Sequence, residues 1–95
     1  MSSSHFLRVH WTSDDPDDPV QLWSHVVDGW EVRKVDEYAD GRLVWADVDH
    51  TSGSTMLGLA PMPLPAEIAV DPQFAVEIID KPAFEFVWSQ ARAEV

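Results

Sequence analysis

The chain has 95 residues, of which 17 are Asp or Glu and 6 are Lys or Arg, so its formal net charge is −11 at pH 7. A surface this acidic repels nucleic acid and anionic membranes and attracts basic protein surfaces. The chain contains no cysteine, which excludes disulfides, thiolate metal sites and cysteine nucleophiles.

Length and composition predict a single domain over residues 1–95, with a polar, disordered start at residues 1–4. A hydrophobic fraction of 45% is ordinary for a globular protein. No apolar run reaches the length of a membrane span or a signal-peptide core. We therefore expect a cytoplasmic location and no membrane partner.

The first half of the chain predicts strands joined by turns. Apolar residues alternate over 5–11 and again over 20–27, which is the period of a strand. The segment between them, TSDDPDDP, is predicted to be a loop because proline cannot donate to a ladder. Asp28-Gly29 is a tight-turn dipeptide and predicts a hairpin.

A third strand is predicted over 30–39, where the alternation changes phase and indicates a bulge near Arg33-Lys34. Asp40-Gly41 predicts a second hairpin turn, and 43–48 predicts a fourth strand. The short connections favour a four-stranded antiparallel meander. Trp11, Trp30, Trp45 and Trp88 are expected to fill the core between this sheet and a helix.

The second half predicts helices. Residues 49–58 show no periodicity and are predicted to be a loop, and the prolines that follow favour an extended segment before a short helix from Pro65 to Val70. Asp80 is a good N-cap for a helix over 81–93. Its apolar residues lie at i, i+3, i+4 and i+7, so we expect this helix to pack on one face of the sheet and leave the other face open. The fold class is thus α+β.

Four stretches of the chain resemble a known family: LRVHW, DDPDDPVQLWS, GWEVRKVDEYADGRLVWAD and LPAEIAVDPQFAVEIIDKPAFEFVWSQA. The resemblance is to a family of small acidic bacterial proteins classed as a domain of unknown function, and it runs from about Phe6 to Ala91. EVRKV with the downstream DGR is its most specific part. The resemblance implies one domain and assigns no activity or site residue, and the 50–58 loop departs from the pattern.

The candidate binding residues are acidic side chains with one aromatic neighbour. Trp23 has the opposite strand parity to Leu22, so it is a candidate exposed anchor beside the acidic loop. The carboxylates of that loop could steer a basic partner, and so could those at the end of the fourth strand. The candidate partner-binding residues are Asp14, Asp15, Asp17, Asp18, Trp23, Asp47 and Asp49.

Catalytic and metal sites are not predicted. His10 and His25 could converge with Asp47 or Asp49 to hold zinc, but metal-ligand spacing is absent and half-buried, hydrogen-bonded histidines are commoner in strands. No nucleophile motif is present. We predict no cofactor, no metal and no enzymatic activity.

The candidate functions follow in order of preference, with an uncharacterised enzyme built on the Asp and His residues in third place. The first is non-enzymatic binding of a basic protein, which the chain would neutralise or regulate as immunity proteins and inhibitors do. The alternative is a small-ligand or accessory module that forms a homodimer through the open sheet face or an edge strand.

Overall fold

The computed structural model describes residues 3–51, 55–58 and 61–93. Within these residues one antiparallel sheet is combined with a short helix and a long one, which confirms the α+β class. The elements are β1 Ser4–Trp11, β2 Gln21–Val27, β3 Trp30–Glu37, β4 Leu43–Asp47, α1 Pro65–Ile68, β5 Phe74–Ile79 and α2 Lys81–Ala93.

The sheet has five strands rather than the predicted four, in the order β4-β3-β2-β1-β5. The meander from β1 to β4 is confirmed, and the additional strand β5 pairs antiparallel with β1. Trp11 is aligned with Phe74, and Phe6 with Ile79. This pairing joins segments that are far apart in the chain and are not linked by a hairpin turn. The pattern of the sequence therefore did not predict it.

The first hairpin turn has the geometry that its sequence predicts. Asp28 has φ of 52° and Gly29 has φ of 86°, the pair of positive values that a two-residue type I′ turn requires. Val27 and Trp30 are directly paired across the turn. The predicted bulge is also present, at Val32 rather than Arg33-Lys34, because His25 pairs with Arg33 and Val26 with Glu31.

Helix α2 packs on one face of the sheet through the predicted stripe. Phe84, Val87, Trp88 and Ala91 are buried, and they join Phe6 of β1 and Val35 of β3 in one core cluster. The carboxylate of Asp80 accepts a hydrogen bond at 3.0 Å from the N–H of Ala83. Asp80 therefore caps the helix as predicted.

The second sheet face is covered, which corrects the expectation that it is open. Leu7 and Val26 on this face are 0% exposed. Residues 55–58 and 61–68, here called the covering segment, lie over it. Two carboxylates of β3 hold the segment: Asp36 accepts from the hydroxyl of Thr55 at 2.7 Å, and Glu31 accepts from the N–H of Gly58 at 3.1 Å.

The tryptophans divide differently from the prediction. Trp45 and Trp88 meet edge to face between sheet and helix, with ring centroids 5.5 Å apart, as expected. Trp11 instead packs beside Phe74, with centroids 6.0 Å apart. Trp30 is 48% exposed, so its predicted core role is wrong.

The start of the chain is more ordered than its composition suggests. Ser4 begins β1, and the N–H of Ser3 donates to the Asp28 carboxylate at 2.7 Å, although both residues were predicted to be disordered. Met1 and Ser2 lie outside the described residues. Among the residues that are described, no helix is long and apolar enough to cross a membrane.

We predict that Trp88→Ala lowers the free energy of unfolding by about 3–5 kcal/mol, because it leaves a cavity in the interface between sheet and helix. Phe86→Ala on the same helix is the control. Phe86 is 68% exposed, so its loss should cost no more than about 0.5 kcal/mol. Denaturant melts measure both, and equal losses would contradict the packing described.

Candidate functional site

The acidic loop, residues 12–19, lies at the end of the sheet where β1 leads into β2. Trp11 donates to the carbonyl of Val20, and the next N–H, that of Thr12, donates to Gln73 before β5. Asp14, Asp15 and Asp17 are exposed and Asp18 is half-buried. The four predicted carboxylates are therefore grouped at one end of the sheet, here called the loop end.

Two of these aspartates also shape the loop. The Asp15 carboxylate accepts from the N–H of Asp17 at 2.9 Å, and the Asp18 carboxylate accepts from the Ser13 hydroxyl at 2.6 Å. Such local bonds let a short aspartate stand in for a backbone partner in a turn. These two bonds give a defined shape to the loop that carries the four negative charges.

Trp23 lies next to this end, on the face that carries α2. It is half-buried rather than fully exposed, and it packs against the core cluster. Its indole N–H donates to the Glu37 carboxylate at 3.3 Å. The guanidinium of Arg8 lies 5.5 Å from its ring centroid, so Trp23 is held between a cation and an anion.

A cleft of about 310 Å³ opens between Trp23 and helix α2. Phe86 of the helix forms part of the wall of the cleft and is 68% exposed. Leu43 and Gln90 also line it, and Glu37 provides a carboxylate at its edge. We call this the Trp23–Phe86 cleft; it combines two aromatic rings with one negative charge.

A second, more polar groove of about 360 Å³ lies on the same sheet face, where α2 does not reach. Arg8, His10, Gln21 and Glu77 line it. Arg8 and Glu77 form an ion pair at 2.5 Å across β1 and β5. Arg8 of the groove also lies next to the ring of Trp23, which lines the cleft. The groove and the cleft are therefore neighbours on this face.

Asp47 and Asp49, the other predicted acidic residues, do not belong to this site. Leu43 is paired with Glu37 at the loop end, and Asp47 follows four residues later on β4, which is roughly 13 Å at strand spacing. The backbone N–H groups of Asp49 and His50 donate to the Asp47 carboxylate at 2.9 and 2.7 Å. These bonds give Asp47 a structural role in a turn.

Burial acts to raise the pKa of Asp47, but the two backbone donors and the nearby Arg92 lower it below its ordinary value. Arg92 also lies 4.3 Å from the Trp45 ring centroid. The backbone donors and Arg92 thus partly compensate the negative charge of Asp47, whereas Asp49 is exposed.

The two histidines considered for zinc are far apart. His10 pairs with Gln21, and His25 follows four residues later on β2, roughly 13 Å away at strand spacing. In the described ranges 3–51, 55–58 and 61–93, no three His or acidic side chains approach closely enough to hold a metal ion.

His25 instead belongs to a half-buried cluster around Arg33. The Arg33 guanidinium makes two hydrogen bonds to Glu85, at 3.2 and 2.6 Å, and its Nε donates to His25 Nδ1 at 3.1 Å. It lies 4.8 Å from the Phe84 ring centroid and 5.1 Å from that of Trp88. One cation therefore joins β2, β3 and α2.

Two pKa values respond to this cluster. Burial lowers the pKa of His25 below 6.5, and the charge of Arg33 lowers it further. The hydrogen bonds from Arg33 lower the pKa of Glu85 below 4.5. The first shift favours the neutral imidazole of His25, and the second favours the ionised carboxylate of Glu85.

Sequence patterning missed two residues that line the cleft, Glu37 and Phe86. Phe86 gave a signal, because it lies off the apolar stripe of α2 by about 160° on a helical wheel. A large aromatic residue opposite the buried stripe of a helix is available for recognition. Glu37 gave none, since a charged residue near a strand end is ordinarily solvated.

Comparison with known proteins identifies the family. The family model described as "Domain of unknown function (DUF6881)" matches residues 5–93, so the chain belongs to that family. No curated protein and no solved structure matches the chain.

We predict that His25 makes the domain less stable as pH falls through 6.5. The imidazole takes up a proton more readily in the unfolded chain than beside Arg33, so the unfolded state binds more protons and the free energy of unfolding decreases. His25→Asn keeps an acceptor for Arg33 but cannot titrate. Denaturant melts at pH 8 and 5.5 should show a larger loss for the wild type than for this variant.

The comparison stays above pH 4.5, where Glu85 begins to matter, and His5, His10 and His50 are common to both proteins. Equal losses in the two proteins would show that His25 does not carry the pH dependence.

Proposed function

We propose that this member of the DUF6881 family binds a basic protein through its loop end, with the Trp23–Phe86 cleft as the anchor. The acidic loop would supply the long-range attraction and the cleft the short-range contact. The single observation that carries the proposal is the exposed Phe86 ring, which lines the same open cleft as Trp23 and Glu37. The binding is non-enzymatic.

The distribution of charge supports this choice of partner. The scarce cations are largely used within the molecule, because Arg8, Arg33 and Lys34 are each paired with a carboxylate. The acidic loop has no such partner among the described residues. A basic surface approaching the loop end therefore meets uncompensated negative charge, which raises the rate of association.

The chemistry of the cleft supports the same conclusion at short range. Aromatic rings attract a cationic side chain through their faces, and a carboxylate adds a charge-assisted hydrogen bond. Arg8 already occupies one such position near Trp23. An Arg or Lys side chain from the partner would find the same combination in Phe86 and Glu37.

The biological role that we propose is neutralisation or regulation of that partner, as for immunity proteins and inhibitors. We place the encounter in a bacterial cytoplasm, since a chain without cysteine depends on no disulfide. This part of the proposal rests on the acidity and on an analogy of class, because fold alone does not assign function.

The test begins by capturing basic proteins from the source cell and measuring the binding kinetics of the tightest one. Phe86→Ala should increase the dissociation rate by at least about 30-fold, because an aromatic anchor typically contributes about 2 kcal/mol or more. Trp88→Ala is unsuitable here, since it destabilises the fold. Unchanged dissociation with Phe86→Ala would exclude the cleft as the anchor.

A matched pair of variants tests the acidic loop. Asp14→Asn with Asp17→Asn removes two charges at the loop end, and Asp28→Asn with Asp49→Asn removes two exposed charges elsewhere. The first pair should lower the association rate severalfold at low salt, and the difference should narrow as salt rises. Equal effects of the two pairs would mean that net charge, not this surface, governs binding.

A further inference from the structure

The two edges of the sheet are treated differently by the rest of the chain. Beyond β4 the chain folds back, so that Ala46 forms an antiparallel bridge with Thr51 and Asp47 donates to the carbonyl of His50. At the opposite edge, β5 has β1 as its single neighbour. Among the described residues no further segment pairs with β5.

The direction of the backbone groups on β5 follows from one hydrogen bond. The N–H of Thr12 donates to the carbonyl of Gln73 at 2.8 Å. In an antiparallel strand the N–H and C=O of alternate residues point the same way. Ala75, Glu77 and Ile79 therefore face β1, and the backbone groups of Phe74, Val76 and Ile78 point outward.

This edge lacks the usual protection against pairing. Soluble proteins blunt free edges with Lys, Pro, bulges or a covering loop, and residues 74–79 read FAVEII. Their only charged residue, Glu77, is paired with Arg8 of the neighbouring strand. Ile78 is 67% exposed, so the edge presents an apolar side chain together with unpaired backbone groups.

We propose that β5 is a homodimerisation edge, on which a second copy of this chain adds its own β5 antiparallel to form one continuous ten-stranded sheet. The strand is self-complementary in one register, centred on Val76. There Val76 pairs with Val76 of the second copy, and Phe74 pairs with Ile78 of the second copy on the same face.

Backbone chemistry favours this register. Because Val76 points outward, the central pair exchanges two hydrogen bonds, from N–H to C=O in both directions. The N–H of Ile78 meets the carbonyl of Phe74 of the second copy, and symmetry repeats that bond. The N–H of Phe74 is already donated to Asp71, so the carbonyl of Ile78 accepts no bond from the second copy, and the other outward groups of the strand are used.

Charge also selects the second copy in this register. Glu77 lies opposite Ala75, whereas a register centred on Glu77 would set two like charges against each other. Each chain carries −11, so two copies repel each other at long range.

The dimer should therefore tighten as salt rises, because salt screens the repulsion between two acidic bodies and hardly affects the apolar strand contacts. Binding of a basic partner would weaken over the same range. The two associations are thus separable by the sign of their salt dependence, and failure of one leaves the other standing.

The test is sedimentation equilibrium of the full chain, with Ile78→Lys compared with Val48→Lys. Val48 is 71% exposed and lies at the far edge, so both variants change charge and exposed apolar surface equally. Ile78→Lys should weaken the dimer about 100-fold, about tenfold for each copy. Val48→Lys should leave the dissociation constant unchanged apart from its effect on net charge.

Val76→Pro is a second variant that keeps the test decisive if Lys disturbs the strand. Proline is accepted at an edge position whose N–H faces solvent, so the monomer should melt as before while the central hydrogen bonds are lost. Hydrogen exchange should show the Val76 and Ile78 amides becoming protected as protein concentration rises. A wild type that stays monomeric to roughly 1 mM, or a dimer that ignores both edge variants, would overturn the proposal.

Discussion

The contact between sheet and helix depends on one half-buried cation. Arg33 lies over the rings of Phe84 and Trp88 and bonds to Glu85 on the helix and His25 on the sheet. A charge in such a place is costly unless it is fully hydrogen-bonded and paired. The geometry of α2 is therefore tied to the position of a single guanidinium as well as to its apolar stripe, and the histidine must remain neutral for the arrangement to hold.

Local hydrogen bonds to aspartates help to explain why so acidic a chain can fold. Several aspartates act on the backbone beside them: Asp40 and Asp71 each accept an N–H two residues on, at 2.9 Å, and Asp80 starts α2. Part of the acidity therefore comes from aspartates that stabilise turns and the start of a helix. The carboxylates that remain at the loop end have no nearby cation among the described residues and form no hydrogen bond that shapes a turn. Their charges are available for recognition.

Local signals predicted much of this architecture. The stripe of α2, its Asp80 cap and the Asp28-Gly29 turn each depend on residues close together in the chain, and each was predicted. Strand β5 was not, because its partner β1 lies more than sixty residues earlier and no turn links them. The exposure of Trp30 was mispredicted because Trp30 is the first residue of β3, directly after the hairpin turn, and strand parity does not show that the core stops short of that end. The cleft could not be predicted, because it forms only where Trp23 of the sheet and Phe86 of the helix come to line the same space.

The prolines of the covering segment have a consequence for local unfolding. Pro61, Pro63 and Pro65 have no N–H, so the segment can lie on an apolar face without leaving donors unsatisfied. For the same reason few bonds attach it; the N–H of Met62 to Gly29 at 2.6 Å is one. Lifting it exposes Leu7 and Val26 while every ladder of the sheet stays intact. We therefore expect the lowest-energy opening of the native state to be a movement of this segment away from the sheet. In that opened state one apolar face of the sheet is exposed, while α2 still covers the other face.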